Sequence, residues 1–380
     1  MEGTTPKRPS ERAAEFLNNF LRNQPPTGEL LLPSTRFIAG KLGISEGTVR
    51  NVLRRMKKEG AFEPGGKGLP FHVPQRISIG TNAGILDPTR LSGYPGKVLL
   101  SAFRTVLQLG TAASISSIFS QEEYDSPPSD SEVARRCNEL DAILISQSAP
   151  HPETLIAHCN RQKKPYIVLN SPGEEATTNF VSPNQTQAFY QLGKALARAG
   201  RRRLALLVFP SLEHSAAIRQ RVAGLVNGLG PALGERVQLR IGPCQGWLQN
   251  DGRAAMETLL QSGYFPDAIL TAGDHLALGA MEALERHGVN IPSDVSVITG
   301  GGVEATVLHN NLTRLSLPAH EVGQQAVEML VTMVRSQTHS VPGRYIDIPI
   351  FAGRTTTPEE NRLLQPCFEE ANAAPSRAFS

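Results

Sequence analysis

Residues 266–302, PDAILTAGDHLALGAMEALERHGVNIPSDVSVITGGG, decide the fold. Asp267–Thr271 is a short apolar run set off by Pro266 and Gly273, which predicts a buried strand. Asp274–His287 then carries a helical pattern, and Asp294–Thr299 is a second apolar run that ends in three glycines. A strand, a helix and a strand in this order imply a parallel pair joined by a crossover helix. Ligands of open α/β sheets gather outside the carboxyl ends of the strands. Asp274 and the triple glycine centred on Gly301 stand at two such ends, so both are pocket candidates.

Working outward, the same alternation runs from about residue 77 to 352. Further strands are expected at Arg76–Thr81, Ala113–Phe119, Asp141–Ser146, Pro165–Leu169, Arg203–Phe209 and Arg236–Ile241. Helices are expected at Gln185–Ala199, Ser215–Leu229 and Ala319–Arg335. In the last, Val322, Ala326, Met329, Leu330 and Met333 recur at helical spacing and mark a buried face. About 275 residues is large for one sheet, so two α/β lobes with parallel sheets are expected. The segment after about 355 is polar and has no sustained period, which predicts a poorly ordered tail over 355–380.

Composition narrows the classes. The chain has 380 residues, 40% hydrophobic and 19% charged, which excludes a wholly disordered or fibrous protein. Residues 1–76 hold 13 Lys/Arg against 7 Asp/Glu, and the remainder holds 25 against 28. A basic head on a mildly acidic body points to an anionic partner for the head alone. The four cysteines form no close pair, so neither a zinc knuckle nor a disulfide framework is suggested. MEGTTPKRPSERAAEF contains no apolar run, and no stretch is long enough to span a bilayer, so a cytoplasmic protein without membrane contact is expected. No metal spacing and no full dinucleotide fingerprint occur, so no metal or cofactor is expected.

The head has its own logic. In LPSTRFIAGKLGISEGTVR (residues 32–50), Ser34 can cap a short helix with Phe37, Ile38 and Leu42 on its apolar face. Gly43 suits the sharp turn that follows, because a left-handed conformation costs glycine little. Ser45 can cap a second helix running to about Lys58, in which Val49, Val52, Leu53 and Met56 face inward. Thr48, Arg50, Arg54 and Lys57 lie largely off that stripe. Two helices, a tight turn and a basic second helix make a helix-turn-helix. Residues 59–73 read as a two-stranded wing with a glycine-rich tip that bears Lys67. Gly43-Ile44-Ser45-Glu46-Gly47 also matches the nucleophile elbow of hydrolases, but that motif needs a strand before it, and a helix precedes it here.

The ordered pattern LPSTR, LGIS, TVR, EG and GKG over residues 12–73 resembles the winged helix-turn-helix of the GntR family. The resemblance implies DNA contacts at Arg36, Ser45, Thr48 and Arg50, with Gly66, Lys67 and Gly68 in the wing. Glu46 and Gly47 depart from the residues common at their positions.

PDAILTAGDHLALGAMEAL, GVNIPSDVSVI and LTRLSLPAHEVGQQAVEML resemble the effector-binding core of the LacI/GalR family, which has the periplasmic-binding-protein fold. The resemblance covers about 77–354. It implies a first lobe of about 77–180 and 313–340, a second of about 181–312 and 345–352, and a ligand in the cleft between them. It places ligand contacts at Arg221, Trp247 and Asp274. Gly273 replaces the family's asparagine beside that aspartate, and glycine replaces its later aspartate within 300–302. Backbone N–H groups around Gly301 could instead meet an anion. Plainer readings stay open: Asp274 as a helix cap, Trp247 as lobe core and Arg221 as a surface ion-pair partner.

Together these imply an α/β protein with an N-terminal winged helix-turn-helix and a two-lobed, periplasmic-binding-protein-like body. The expected function is a DNA-binding repressor, a homodimer on a palindromic duplex operator, answering to a small carbohydrate-like effector. An α/β enzyme and a sugar-binding protein without DNA binding are the alternatives.

Overall fold

The computed structural model describes residues 8–22, 28–30, 32–58, 71–73, 77–82, 93–109, 113–119, 129–147, 151–170, 177–209, 215–301 and 311–364. Gly66, Lys67 and Gly68 of the expected wing lie outside them, as do Gly302 and the end of the tail.

The head consists of α1 (Pro9–Arg22), β1 (Gly28–Leu30), α2 (Thr35–Leu42), α3 (Glu46–Lys58) and β2 (Phe71–Val73). Ala13 and Leu17 of α1, Ile38 and Ala39 of α2, and Val49, Val52 and Met56 of α3 close one apolar core. Ser34 Oγ accepts from the Phe37 N–H at 3.2 Å and so starts α2. Gly43 ends it at φ +61°, where a side chain would be strained. The Arg12 guanidinium donates to the Leu42 carbonyl at 2.5 Å, which satisfies an oxygen left open at the end of α2.

One expectation for the head changes. Phe37 is not on the inner face: it is 56% exposed, with the Lys41 ammonium 5.9 Å from its ring centre. Ile38 and Ala39 of α2 take the inner face, and Phe37, about 100° round the helix from Ile38 on the side away from Ala39, is left outside. Among the described residues, β2 pairs with β1, antiparallel, with Glu29 opposite His72.

The body alternates β3 (Ile77–Thr81), α4 (Gly93–Gln108), β4 (Ala113–Ser117), α5 (Asp130–Asn138), β5 (Ala142–Ser146), α6 (Pro152–Gln162), β6 (Tyr166–Leu169) and β7 (Phe180–Pro183). It continues with α7 (Gln185–Arg198), β8 (Arg203–Val208), α8 (Ala216–Leu229), β9 (Gln238–Pro243), α9 (Gln249–Gln261), β10 (Ala268–Thr271), α10 (Asp274–Arg286) and β11 (Ser296–Thr299). Last come β12 (Thr313–Leu315), α11 (Ala319–Arg335), β13 (Arg344–Ile346), β14 (Ile350–Phe351) and α12 (Pro358–Leu364). One six-stranded sheet has the order β4-β3-β5-β6-β7-β13 and the other β9-β8-β10-β11-β12-β14. The two orders follow the same rule: the first strand sits second, and its successors run to the other side. The β12–β14 pair is antiparallel and the other described pairings of both sheets are parallel.

The chain divides into two compact units, one of residues 1–87, 99–167 and 326–340, the other of 88–98, 168–325 and 341–380. Of three short strands near the end of the body, two depart from the expected lobes and the third, Ile350–Phe351, keeps to its own. Thr313–Leu315, expected with the first lobe, joins β11, while Arg344–Ile346 joins β7 in the first sheet and Ile350–Phe351 joins β12 in the second. Strands of two or three residues carry too little alternation to announce their sheet.

In the second unit every residue of β10 and β11 is buried, as expected of strands covered on both faces. Its helices pair through glycines. A Cβ at Gly193 would stand 2.6 Å from the Leu225 carbonyl oxygen, and one at Gly224 or Gly228 would strike the backbone of α7. Gly252 and Gly279 hold α9 and α10 equally close.

The expectation of a poorly ordered tail fails for residues 355–364. Thr357 and Glu360 cap α12 reciprocally, the Glu360 N–H donating to Thr357 Oγ1 at 3.3 Å and the Thr357 N–H to Glu360 Oε2 at 2.7 Å. Glu360 is fully buried and pairs with Arg201, 2.7 Å from Nε to Oε1. Ser296 donates its hydroxyl to the same carboxylate at 2.6 Å. Burial pushes the Glu360 carboxyl up, but the hydrogen bonds from Arg201, Ser296 and the Thr357 N–H, with the Arg201 charge, outweigh it and hold the group below the usual carboxylate range.

Candidate effector site and DNA-facing helix

The carboxyl edge of the second sheet collects the expected site residues. Its strand order reverses between β8 and β10, and crevices form at such switch points. Phe209 follows β8, Trp247 follows β9, Gly273 and Asp274 follow β10, and Gly300 and Gly301 follow β11.

Arg221 projects from α8 and is 5% exposed, so it is not a surface ion-pair partner. Its Nε donates to Gln185 Oε1 at 3.0 Å and its Nη1 to the Ala272 carbonyl at 3.1 Å. The guanidinium also lies 5.6 Å from the centre of the Phe189 ring, a cation–π distance. Burial pushes its pKa down to about 10, so it stays charged at neutral pH. Its described partners are thus neutral, and burying a charge among neutral groups is costly.

Asp274 is the first residue of α10, and Gly273 holds the cap position, so Asp274 is not the N-cap. Its buried carboxylate accepts the Thr299 hydroxyl at 2.9 Å and ties the start of α10 to the end of β11. An acid in the first turn is favoured by the helix dipole.

Trp247 is 45% exposed, so it is not lobe core. It meets Phe209 edge to face, 5.6 Å between ring centres. Its six-membered ring lies over Gly273, where a Cβ would come within 3.2 Å. The glycine at 273 therefore makes room for the indole.

Gly300 and Gly301, the described members of the triplet, have a different use from the one expected. A Cβ at Gly301 would stand 2.8 Å from the Gly273 Cα, so the two loops pack backbone on backbone. Gly300 N–H donates to the Thr271 carbonyl at 2.7 Å, and Gly301 N–H to Thr299 Oγ1 at 3.4 Å. Neither N–H is turned to an anion. Residue reading missed Gln185, Phe189, Thr299 and Phe209. Three of them stand just past or at the carboxyl end of a strand, and that position was the available signal.

In the head, Ser45 Oγ accepts from the Thr48 N–H at 3.1 Å and lies 2.9 Å from Thr48 Oγ1. Ser45 is thus a helix cap, and a helix precedes it, which removes the nucleophile-elbow reading. Arg36 and Arg50 are exposed, and Arg50 Nη2 is 3.9 Å from Glu46 Oε2. Because α3 spends its apolar stripe on the core, Arg54, Arg55, Lys57 and Lys58 also face outward. Among the described residues no cluster of His, Cys, Asp and Glu could hold a metal, and no helix is long and apolar enough to cross a membrane.

Residues 194–357 match the family model described as a periplasmic binding protein-like domain. The chain is 24% identical over 313 residues to the HTH-type transcriptional repressor PurR of Escherichia coli O1:K1 / APEC, covering 80% of this chain and 85% of that one. The same repressor of Salmonella arizonae is 24% identical over 323 residues, covering 82% and 88%. Among solved structures, the Lac repressor dimer bound to operator and the anti-inducer ONPF aligns with a TM-score of 0.59 at 19% identity, over 74% of this chain and 94% of that one. The Escherichia coli transcriptional repressor ascG aligns at 0.56 and 21%, over 74% and 98%. These likenesses establish the two-sheet, periplasmic-binding-protein-like fold of the body, and the curated relatives are transcriptional repressors, not enzymes.

Proposed function

We propose that this chain is a transcriptional repressor whose hold on DNA is set by a small effector at the carboxyl edge of the second sheet, and that its head is a GntR-type winged helix-turn-helix. The observation that carries the reading is α3. Its inner face is consumed by Val49, Val52 and Met56, and its outer face is a row of exposed cations. Such a helix fits a major groove, with Thr48 and Arg50 toward base edges and Arg36 toward the phosphates. The antiparallel pairing of β1, before α2, with β2, after α3, supports a winged head. Gly66, Lys67 and Gly68 are assigned to the wing tip, against phosphate or the minor groove. A symmetric homodimer would set two heads on two half-sites. Arg221, Trp247 and Asp274 hold the effector, and Gly301 shapes the loop beneath it. The effector must bind two states unequally, with a coupling of about 1–3 kcal/mol, to change the affinity for DNA.

The test is fluorescence anisotropy of the full chain on duplexes taken from beside its own gene. Affinity should fall steeply with salt, since each phosphate neutralised by the protein steepens the log–log slope by about 0.9. The Arg36→Ala/Arg50→Ala double variant should bind more weakly with a shallower slope. A double variant as tight as the parent sinks the assignment of the head.

A further inference from the structure

The polar groups at the carboxyl edge of the second sheet are unbalanced toward donors. Arg221 donates only, and its described partners are the neutral oxygens of Gln185 and Ala272. Tyr94, near the start of α4, packs against the core of the same unit, and its hydroxyl is buried with no hydrogen-bond partner among the described residues. Phenol and guanidinium act on one another. Burial pushes the Tyr94 hydroxyl strongly up, the Arg221 charge pulls it partly back, and the exposed Glu321 adds a smaller upward push. The Asp274 carboxylate is engaged by Thr299. Positions 273 and 301, where an amide or carboxylate could offer acceptors, are glycines packed on each other. A sugar presents hydroxyls that need acceptors as well as donors. Here a buried cation and a hydroxyl without a partner among the described residues lie within electrostatic reach of one another, with the open indole of Trp247 and the ring of Phe209 beyond the Ala272–Gly273 segment.

We propose that the effector is an organic anion whose carboxylate or phosphate docks on Arg221 and Tyr94, with a flat or apolar body against Trp247. This rests on the reading of the carboxyl edge as the effector site. The anionic group would complete a charge-assisted pair with Arg221 and give the Tyr94 hydroxyl its acceptor.

The experiment uses the full chain and matched probes at constant ionic strength: D-glucose, D-gluconate and D-glucose 6-phosphate, then benzyl alcohol, benzoate and phenyl phosphate. Thermal shift finds binders and calorimetry measures them. At least one anionic member should bind about tenfold tighter, or more, than its neutral twin, as hydrogen bonds to a charged group warrant. The carboxylate and phosphate arms separate the two chemistries. The preference should vanish in Arg221→Met, weaken in Tyr94→Phe and persist in Arg50→Ala. The unliganded Arg221→Met variant should melt no lower than the parent. A panel in which no anion outdoes its twin overturns the proposal. So does an anion preference that survives in Arg221→Met, or that disappears in Arg50→Ala and therefore belongs to the head. If Arg221→Met does not fold, Tyr94→Phe carries the test, and unchanged anion affinity there rejects the two-donor dock. Anisotropy on DNA run alongside separates the two readings. An anion that binds at the site and leaves DNA affinity unchanged defeats the effector role alone. A neutral sugar that binds and releases DNA defeats the anion alone.

Discussion

Arg201, partly buried, and Arg221, buried, sit at opposite edges of one sheet and are held there for opposite reasons. Arg201 lies at the amino edge and is fully answered. Glu360 takes its charge, while Ser296 Oγ at 2.6 Å and the Pro292 and Asp294 carbonyls at 3.4 Å take further N–H groups. Arg221 lies at the carboxyl edge, and its described partners are neutral. A charge with every partner in place holds a structure together. A charge whose described partners are all neutral is held in readiness, because a buried ion is stabilised only when something completes it. The amino edge is where the chain fastens its last described helix. The carboxyl edge is where, on the proposed reading, it receives a visitor.

The contrast can be broken most directly at Arg201. Arg201→Ala leaves the Glu360 carboxylate buried without its cation and should cost about 3–5 kcal/mol in chemical denaturation. The Arg201→Met/Glu360→Leu pair should recover most of that deficit. Equal stability of the parent and Arg201→Ala would erase the distinction between the edges. Next in size is Gly301→Ala. Its Cβ would press on the Gly273 Cα at 2.8 Å, and overpacking of this kind costs about 1–3 kcal/mol. The strain falls on the loop under Trp247, so effector affinity should drop along with the melting temperature. The smallest effect is the response to acid. Glu360 is held below its ordinary range, so its contribution is complete above the unfolded value of about 4.3 and disappears as pH falls through the lower folded value. Melting curves between pH ~5 and pH ~3 should fall less steeply with acid in the Arg201→Met/Glu360→Leu pair than in the parent. An identical acid slope would mean that the pair is not coupled to folding.

Alternation of apolar runs and helical patterns was enough to place eight strands and four helices of the body to within a few residues. Burial on both faces of a parallel sheet leaves that mark in sequence. Asp274 could be singled out because it stands at a strand end that the alternation had already located, whereas Arg221, in the middle of α8, and Trp247 were named only through the LacI/GalR resemblance. Tyr94, Gln185, Phe189 and Thr299 were not readable, since their roles arise from contacts across the fold. The crossings at Thr313–Leu315 and Arg344–Ile346 stayed hidden because so few residues show no period. The helix Pro358–Leu364 was different. The cap signal TPEE stood in the sequence, but the polar composition around it masked a threonine and a glutamate that serve each other.

Trp247 is the single tryptophan of the chain, and it stands half open to water beside Phe209 and Gly273. Indole emission changes colour and brightness when its watery side is dried. The intrinsic fluorescence of this protein therefore reports from one place alone. A titration can be followed without a label, a quencher in solution can measure how far the ring is covered, and a shift in the spectrum dates the moment the crevice fills.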